Sequence, residues 1–433
     1  MTPLFLTHYT LASALGHGKA ATLSALQEDR SGLRPNDFAE APLDTYIGRV
    51  GGVEEIALPR ALAEYDCRNN RLAQLCLELD GFAAAVAAAR EKHGSRRIAV
   101  ILGTSTSGIL ESERAYRRRD PASAALPGDF HYAATQSMHS AAEFVRRYLA
   151  LGGPAFVIST ACSSSAKVFA SASRLIQAGF CDAAVAGGVD SLCAMTLYGF
   201  NALQLVSPQP CRPCDPERNG ISIGEGAGFF LLERGPLLPF DFAQGTLPER
   251  SRGALSLPKR RQGEGANVKG DWIDLKPAPL ALLGYGESSD AYHMSTPHPE
   301  GLGAALAMEK ALAAANLRPD EIDYINMHGT SSRSNDSAED QGMLRVFGNA
   351  TPCSSTKGAT GHTLGAAGAV EAAISCLCLE HGFIPGTCNT HSIDPGLGSA
   401  IQLQHSTRKL RRVMSNSFGF GGNNCSLIFG VRP

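Results

Sequence analysis

The stretch PAFVISTACSSSAKVFASASRLIQAG, residues 154–179, decides how the rest of the chain is interpreted. Residues 155–159 form a short apolar run rich in β-branched side chains, which predicts a strand, and the small residues from Ser163 to Gly179 predict a helix. Cys162 lies between the two elements. On such a turn a thiol faces the unpaired N–H groups of the helix, which lower its pKa and favour the thiolate. The stretch therefore offers a nucleophile, although most free cysteines are small buried hydrophobes.

Length, charge and cysteine usage restrict the class of protein. A chain of 433 residues exceeds the usual single domain, so we expect two packed halves or one large duplicated fold. The formal net charge of −2 argues against a nucleic-acid partner, which selects for a strong basic excess. The cysteines are irregularly spaced without a secretory signal, and no apolar run approaches the ~20 residues that span a membrane. These features predict a cytoplasmic, enzyme-like protein in a reducing compartment.

Strand and helix patterns alternate along most of the chain. Residues 96–108, RRIAVILGTSTSG, predict a buried strand that ends in a turn, and residues 60–93 are largely helical, so we expect a parallel α/β sheet. In GISIGEGAGFFLLE, residues 220–233, the glycines precede the apolar run. Close backbone packing explains them better than a dinucleotide-binding loop, whose glycines open a helix. Residues 236–276 lose all hydrophobic periodicity and predict an exposed insertion.

Three patterns of the first half recur in the same order in the second half. The strand-to-turn pattern of 96–108 returns at 321–336, the cysteine elbow returns at 350–382, and the glycine-rich turn and strand of 220–233 return at 415–430. An internal duplication follows, with halves at 1–235 and 277–433 and the insertion at 236–276 between them. The strand-end turns of two such halves should face a common site, where open α/β sheets usually bind ligands.

Two histidines of the second half are candidates for that site. His328 directly ends a predicted strand before Gly329, and His362 lies in GATGHTLGAAG, where the neighbouring residues have no bulk to shield it. Either histidine alone would more often be structural than catalytic. Two neutral imidazoles that donate Nε2–H groups into one cavity, near a reactive thiol, suit thioester chemistry in which negative charge develops on a carbonyl oxygen.

Four sequence blocks, STACSSS, NMHGTSSRSNDSAE, STKGATGHTLGAAGAVE and NSFGFGGNN, resemble the motifs of elongating β-ketoacyl-acyl-carrier-protein synthases with a Cys-His-His triad. The resemblance covers nearly the whole chain apart from the insertion. It implies an α/β protein with the thiolase fold, two duplicated halves in a five-layered α/β/α/β/α arrangement, usually as a homodimer. The implied activity is that of an acyltransferase. It condenses an acyl-cysteine enzyme with malonyl-carrier protein into a β-ketoacyl-carrier protein longer by two carbons, in fatty acid or polyketide biosynthesis.

The resemblance also assigns roles to individual residues. It makes Cys162 the acyl-accepting nucleophile, and His328 and His362 the pair that acts on malonyl decarboxylation. The backbone N–H groups of Cys162 and of the gating aromatic Phe420 are expected to form an oxyanion hole. The resemblance implies that Lys357 and Glu371 support the histidines. It also implies that Thr330, Phe418 and Phe420 contact the substrate. Lys357 and Glu371 could equally form an ordinary buried ion pair. No metal or cofactor is implied, because phosphopantetheine arrives with the carrier-protein substrate.

Two motifs depart from the usual family pattern. The usual Thr-Ser-Thr-Pro is Thr-Ser-Ser-Arg at 330–333, and the usual Gly-Gly-Thr-Asn is Gly-Gly-Asn-Asn at 421–424. Together with GYGESSDAYHMSTPHPEG, residues 284–301, the second departure looks closer to ketosynthases of bacterial aryl-polyene pigment clusters. The departures leave every catalytic group in place, so they bear on carrier docking and chain length rather than on activity.

Two other functions, and the identity of the subunit and carrier-protein partners, remain open at the level of the sequence. A degradative thiolase has the same fold but uses a second cysteine as base, for which Cys425 is the candidate. A non-catalytic subunit of the chain-length-factor type lacks the nucleophile, so Cys162 counts against that reading. Such a subunit could instead pair with this chain in a heterodimer. The expected partner in the reaction is an acidic acyl carrier protein, which Arg68, Arg71 and the arginines at 117–119 could attract.

Overall fold

The computed structural model describes residues 1–234 and 280–431, so the prediction for 236–276 falls outside the described residues. Strands and helices alternate through both described parts, as the sequence predicts. The strands are β1 (Leu4–Ser13), β2 (Gly16–His17), β3 (Arg34–Pro35), β4 (Tyr46–Gly48), β5 (Ile98–Gly103), β6 (Ala155–Ile158), β7 (Ala183–Asp190), β8 (Ile223–Gly224), β9 (Gly226–Arg234), β10 (Leu280–Ser289), β11 (Tyr324–Asn326), β12 (Pro352–Ser354), β13 (Phe383–Ile384), β14 (Ala400–Ile401), β15 (Ser406–Thr407), β16 (Arg412–Gly419) and β17 (Asn423–Val431).

The helices lie between these strands. They are α1 (Gly18–Gln27), α2 (Arg68–Leu77), α3 (Phe82–His93), α4 (Ile109–Arg117), α5 (Met138–Tyr148), α6 (Ser164–Gln177), α7 (Ala194–Ala202), α8 (Leu302–Ala315), α9 (Arg333–Phe347), α10 (Lys357–Thr360) and α11 (Ala367–His381). The helix predicted over 60–93 is broken between α2 and α3, where Asp80 and Gly81 have φ values of 52° and 72°. A right-handed helix cannot continue through residues with positive φ.

The order of the strands shows the duplication directly. The first half has the order β6-β5-β7-β9-β1, and the second half has β12-β11-β16-β17-β10, with β14 added beyond β12. In each half the first two pairings are parallel and the last two are antiparallel. The two half-sheets join where β1 pairs antiparallel with β10. The duplication predicted from recurring motifs is therefore present in the topology.

The core is arranged in layers around two central helices. Side chains of α6 and α11 share one hydrophobic cluster with the inner faces of both half-sheets. A second cluster lies between the first half-sheet and α2, α3 and α5, and a third lies between the second half-sheet and α8 and α9. The result is the expected α/β/α/β/α order of the thiolase fold.

Among the described residues, one continuous helical stretch is long and apolar enough to resemble a membrane span. The stretch Leu364–His381, which includes α11, has the length and hydropathy of a short span, and 89% of it is buried inside the fold. Its hydropathy is explained by its place in the central layer, where side chains on every face contact protein.

The glycines of 220–233 allow close backbone approach, as predicted. A strand follows them rather than a helix. A Cβ atom on Gly224 would lie 2.6 Å from the carbonyl oxygen of Thr360, and one on Gly228 would lie 3.0 Å from the backbone of Ala369. These glycines let strands of the first half contact the loop and helix of the second half that carry the catalytic candidates.

We expect Gly224→Ala to destabilise the protein, because the new methyl group would displace the Thr360 carbonyl and the loop around it. Such a clash in a packed core costs about 1–3 kcal/mol. Gly51→Ala is the matched control, since no atom lies within 4 Å of a Cβ built there. Thermal unfolding monitored by circular dichroism measures both variants. Equal melting temperatures for Gly224→Ala and the wild type would contradict the prediction.

Candidate active site

Cys162 lies on a tight turn between β6 and α6. Ala161, which precedes it, has a φ of 52°, an uncommon value for a residue other than glycine. The turn is held by Ser164, whose Oγ accepts a hydrogen bond from the Thr160 N–H at 2.9 Å and donates to the Ala161 carbonyl at 2.5 Å. Cys162 is 5% exposed and directly precedes the α6 N-terminus. The predicted strand-to-helix elbow is therefore present.

His362 reaches the thiol because its backbone is joined to the first half. The His362 N–H donates to the Ser222 carbonyl at 2.8 Å, and the Gly224 N–H donates to the His362 carbonyl at 2.9 Å. The ring Nε2 then lies 3.0 Å from Cys162 Sγ. The Leu364 N–H donates to Nδ1 at 3.3 Å, which assigns the ring proton to Nε2 and directs it at the sulfur.

His328 is held from its backbone and from its ring. Glu339 accepts the N–H groups of His328 and Gly329 at 2.8 and 2.7 Å, which fixes the end of β11. Lys357 Nζ lies 3.3 Å from His328 Nδ1 and also donates to the His328 carbonyl. Because Nδ1 accepts from the ammonium, the ring proton is on Nε2, the nitrogen left for the cavity.

The two histidines are neutral at physiological pH. Burial lowers the pKa of both rings well below the usual value, and the nearby Lys357 ammonium lowers it further. The ring centroids of His328 and His362 are 5.4 Å apart. Two uncharged Nε2–H donors thus lie in one cavity, as the sequence predicts.

Lys357 and Glu371 form a buried ion pair, with side chains 1% and 2% exposed. Burial raises the pKa of Glu371 to about 7, against the opposing effect of the Lys357 ammonium. Removing either partner of such a pair typically costs about 3–5 kcal/mol, because it leaves a buried group without its counter-charge. The pair also holds the ammonium against His328.

Cys162, His328 and His362 form a compact cluster of donor atoms. The thiol sulfur and one nitrogen from each ring all lie within 4.8 Å of one another. Sulfur and imidazole are ligands that zinc accepts, but the His328 ring already receives a hydrogen bond from an ammonium group, which opposes a second cation there. The Cys162 thiol and the His362 imidazole are instead connected by a hydrogen bond.

The expectation of a low thiol pKa is wrong for the protein as described. Burial raises the pKa of Cys162 to about 12, while Lys357 and the Phe420 backbone N–H lower it only in part. Desolvation of the thiolate outweighs the helix N-terminus, because the turn excludes water from the sulfur on nearly all sides. The thiol is therefore protonated at rest.

The cluster opens into a cavity that encloses about 600 Å³ of empty space, part of it open to solvent. Thr330, Phe418 and Phe420, the predicted substrate contacts, all line it. The Phe418 ring lies 6.0 Å from the His328 ring, and the Phe420 ring lies 5.6 Å from that of Phe200 on α7. The Phe420 backbone N–H lies close enough to the Cys162 sulfur to lower the pKa of the thiol in part. The cavity is thus apolar on the α7 side and carries hydrogen-bond donors at the thiol.

The turn that carries Phe420 is held by backbone hydrogen bonds with residues 290 and 294, in another loop of the second half. Gly421 and Gly422 have φ values of 74° and 70°, in the left-handed region that glycine adopts without strain. The Gly421 N–H donates to the Met294 carbonyl at 2.7 Å, and the Asp290 N–H donates to the Gly422 carbonyl at 2.9 Å. We call residues 420–422 the glycine turn.

The predicted role of Arg68 in attracting a carrier protein is wrong. Its side chain is 7% exposed and forms an ion pair with the fully buried Glu225 at 2.6 Å. Arg71 is paired with Asp66. The arginines at 117–119 do lie on the surface, where Arg117 pairs with Glu40 and Arg118 pairs with Asp129.

Sequence reasoning missed three residues that shape the site. Glu339 fixes the strand end before His328, Phe200 packs against Phe420, and Met294 accepts a hydrogen bond from the glycine turn. Each belongs to an element distant in sequence from the residue it contacts. No local pattern marks such a residue, although the acidic run in NDSAED at 335–340 indicates that α9 carries carboxylates close behind His328.

Comparison with known proteins agrees with the geometry. The family model described as "Beta-ketoacyl synthase, N-terminal domain" matches residues 69–236, and that described as "Beta-ketoacyl synthase, C-terminal domain" matches residues 281–391.

Individual relatives extend the match to the whole chain. The mitochondrial 3-oxoacyl-[acyl-carrier-protein] synthase of Arabidopsis thaliana is 39% identical over 292 residues, which are 64% of this chain and 56% of that protein. The chain thus spans just over half the length of this relative. Nodulation protein E of Rhizobium sp. (strain N33) is 30% identical over 431 residues, 96% of each chain. A solved ketosynthase (ApeO), in complex with its chain length factor (ApeC), from Xenorhabdus doucetiae is 38% identical, with a TM-score of 0.83 over 100% of this chain and 98% of that one.

The raised pKa of Cys162 predicts how its reactivity depends on pH. Only the thiolate reacts with iodoacetamide, so the rate constant for alkylation of Cys162 should rise about tenfold per pH unit from pH 7 to 9. Peptide mass spectrometry of the 154–179 region measures that rate. A rate that levels off below pH 8 would show instead that the helix N-terminus holds the thiol ionised.

Proposed function

Because this chain belongs to the β-ketoacyl synthase family, we propose that it catalyses the decarboxylative condensation of an acyl group on Cys162 with a malonyl-carrier protein thioester. The product is a β-ketoacyl-carrier protein longer by two carbons. One observation carries the proposal: a buried thiol and two neutral imidazole donors, with Cys162 Sγ 3.0 Å from His362 Nε2, converge on one cavity.

The first step is transfer of the acyl group to the enzyme. The Cys162 sulfur attacks the thioester carbonyl, the bond to the pantetheine sulfur breaks, and the thiol proton ends on that leaving sulfur. The backbone N–H groups of Cys162 and Phe420 stabilise the oxyanion of the tetrahedral intermediate. His362 donates Nε2–H to the sulfur in the tautomer described above, so it stabilises the transient thiolate rather than accepting its proton.

The second step generates the carbon nucleophile. The malonyl thioester carbonyl accepts hydrogen bonds from His328 and His362, the carbon–carbon bond to the carboxylate breaks, and carbon dioxide leaves. The electron pair remains as an enolate whose oxygen the two N–H donors stabilise. Neutral rings suit this role, because each keeps its proton while it donates.

The third step joins the two fragments. The enolate carbon attacks the acyl carbonyl on Cys162, the bond to the cysteine sulfur breaks, and the sulfur regains a proton from solvent as the β-ketoacyl product leaves. Lys357 and Glu371 support these steps from behind His328, because the Lys357 ammonium donates a hydrogen bond to His328 Nδ1. We assign contact with the substrate arm and acyl chain to Thr330, Phe418 and Phe420, since all three line the cavity.

The rival readings have less support. Cys425, the base required by a degradative thiolase, is fully buried in β17, where it pairs with Glu287 of β10 and Ser417 of β16. A non-catalytic subunit would lack the nucleophile, whereas this chain has the Cys162 thiol hydrogen-bonded to His362. We propose fatty acid or polyketide biosynthesis as the setting. Residues 284–301 and 421–424 favour a pigment-type pathway.

We also propose the organisation of the chain and where it acts. The repeated strand order supports two halves, 1–235 with the nucleophile and 277–433 with the histidines, joined by an insertion at 236–276. A cytoplasmic location suits the cysteines, since all of them are free thiols. Phosphopantetheine enters with the carrier protein, so the proposed reaction requires no cofactor resident in the enzyme.

A second subunit is proposed at the edge of the sheet formed by β6. Among the described strands only β5 pairs with β6, which leaves one edge of backbone N–H and carbonyl groups unpaired. Phe156 on this strand is 48% exposed. An open edge with an exposed aromatic residue favours association with another chain. The solved relative from Xenorhabdus doucetiae pairs with a chain length factor, so the occupant is either a second copy or a subunit of that type.

Substitutions of His328 and of Cys162 should impair different steps, namely malonyl decarboxylation and acylation of the enzyme. His328→Ala should still be acylated at Cys162 but lose malonyl decarboxylation by roughly 100-fold or more, the usual cost of one oxyanion donor. Cys162→Ala should form no acyl-enzyme and keep decarboxylation. Intact-protein mass spectrometry detects the acyl adduct, and release of carbon dioxide reports the other step.

An assay of product formation by the wild-type enzyme tests the function as a whole. Formation of β-ketoacyl-carrier protein from malonyl-carrier protein and an acyl donor distinguishes a synthase from both rivals. If His328→Ala abolishes acylation and spares decarboxylation, the roles given to the two steps are wrong.

Phe156→Asp should weaken the proposed interface, because it places a charge on an apolar edge. We expect its dimer dissociation constant, measured by analytical ultracentrifugation, to rise at least tenfold. Phe180→Asp is the matched control, since Phe180 is an exposed phenylalanine (65%) beyond the end of α6. A Phe156→Asp dimer as stable as the wild type would exclude the β6 edge as the interface.

A further inference from the structure

Lys167 has an unusual position for a lysine of the nucleophile helix. It lies on α6 shortly after Cys162, its side chain is half-buried, and its Nζ donates to Asn423 Oδ1 at 3.2 Å. Among the described residues Asn423 is the only polar side-chain partner of this ammonium group. An ammonium that gives up part of its hydration for one amide oxygen indicates a specific connection rather than a general surface charge.

Asn423 lies where the glycine turn rejoins the sheet. It is the first residue of β17, and its backbone pairs with Gly419 on one side and Ser289 on the other. The turn between Gly419 and Asn423 carries Phe420, whose N–H lies close enough to the Cys162 sulfur to lower the pKa of the thiol, and both residues line the same cavity. The Lys167–Asn423 bond therefore joins the helix behind the nucleophile to the base of the turn in front of it.

On the premise of the acyl transfer proposed above, we propose that Lys167 is a positioning residue. Its bond to Asn423 holds the glycine turn closed over Cys162. The Met294 carbonyl, which accepts from Gly421 N–H, and the Asp290 N–H, which donates to the Gly422 carbonyl, hold the same turn through residues of the second half.

The bond depends on the departure from the usual family motif. Position 423 is asparagine where the resemblance leads us to expect threonine. A threonine hydroxyl lies on Cβ, whereas the asparagine oxygen lies one bond further out, so threonine would not reach the ammonium without movement of the backbone. The pair therefore depends on the Gly-Gly-Asn-Asn form of the motif, and it stabilises the closed position of the turn by a charge-assisted hydrogen bond.

Loosening the turn has two opposite consequences for Cys162. Acyl transfer should slow, because the Phe420 N–H is no longer held where the oxyanion forms. Alkylation by a small reagent should accelerate, because the thiol, 5% exposed in the structure, becomes more accessible when the turn beside it moves. Because unfolding would also expose the buried thiol, melting temperatures must show that each variant is as stable as the wild type.

The test compares Lys167→Met, which keeps the length of the stem and removes the donor, with the wild-type enzyme. We expect the rate constant for acyl transfer to Cys162 to fall roughly tenfold, and iodoacetamide alkylation of Cys162 at pH 8 to rise severalfold. Arg174→Met is the matched control, because Arg174 is on the same helix but pairs with Glu287 at 2.6 Å. Both rates should remain at the wild-type value in that control.

A double-mutant cycle decides whether Lys167 acts through Asn423. Asn423→Thr should reproduce both effects, and Lys167→Met combined with Asn423→Thr should add nothing further. Asn423→Asp should restrain the turn at least as well as asparagine. Additive effects of the two substitutions, or an unchanged alkylation rate in both single variants, would overturn the proposal.

The alkylation arm does not depend on the reaction proposed for the enzyme. A wild-type enzyme that makes no β-ketoacyl product, but whose Cys162 alkylation responds to Lys167→Met as expected, would support the role of Lys167 and refute the proposed function. Melting temperatures of all variants accompany the rates, and Asn423→Thr tests the proposal even where Lys167→Met fails to fold.

Discussion

The close packing of α6 against α11 is the constraint on which the rest of the molecule depends. A Cβ atom on Gly368 of α11 would lie 2.5 Å from the Ala166 nitrogen of α6, and the Ala369 N–H donates to Ser165 Oγ at 2.9 Å. Cys162 precedes the first helix and His362 precedes the second. Because the two helices touch backbone to backbone, the residues before them are brought within hydrogen-bond distance. The small side chains of both helices are thus a requirement of the site as well as of the core.

Burial sets the charges of the site in a consistent way. It raises the pKa of the Cys162 thiol and lowers that of both histidines, so these three side chains are uncharged at rest. Behind His328 lies the Lys357–Glu371 pair, whose ammonium adds to the effect of burial in keeping His328 neutral. In the proposed reaction, negative charge develops beside N–H donors that are already oriented towards it. Preorganised donors of this kind need no reorganisation at the transition state.

The duplicated topology explains how residues from distant parts of the chain meet. Equivalent strands of the two halves end at the same face, so the turn after β6 and the loops after β11 and β12 open into one cavity. The strand Ile223–Gly224 extends this connection, since it pairs with the backbone of His362 in the other half. The halves therefore share one active site and neither could assemble it alone.

Sequence alone determined the class of fold and the duplication, and it predicted the cluster of Cys162, His328 and His362 that the structure brings together, because recurring motifs and a strand-to-helix elbow are local patterns. It was wrong about the thiol pKa and about Arg68, and it missed Glu339, Phe200 and the contacts of the glycine turn. Those properties depend on which side chains surround a group after folding. Arg68 resembles a surface arginine until Glu225, from a distant strand, is placed beside it. The helix N-terminus that favours a thiolate is visible in the sequence, whereas the desolvation that outweighs it arises only when the second half covers the turn.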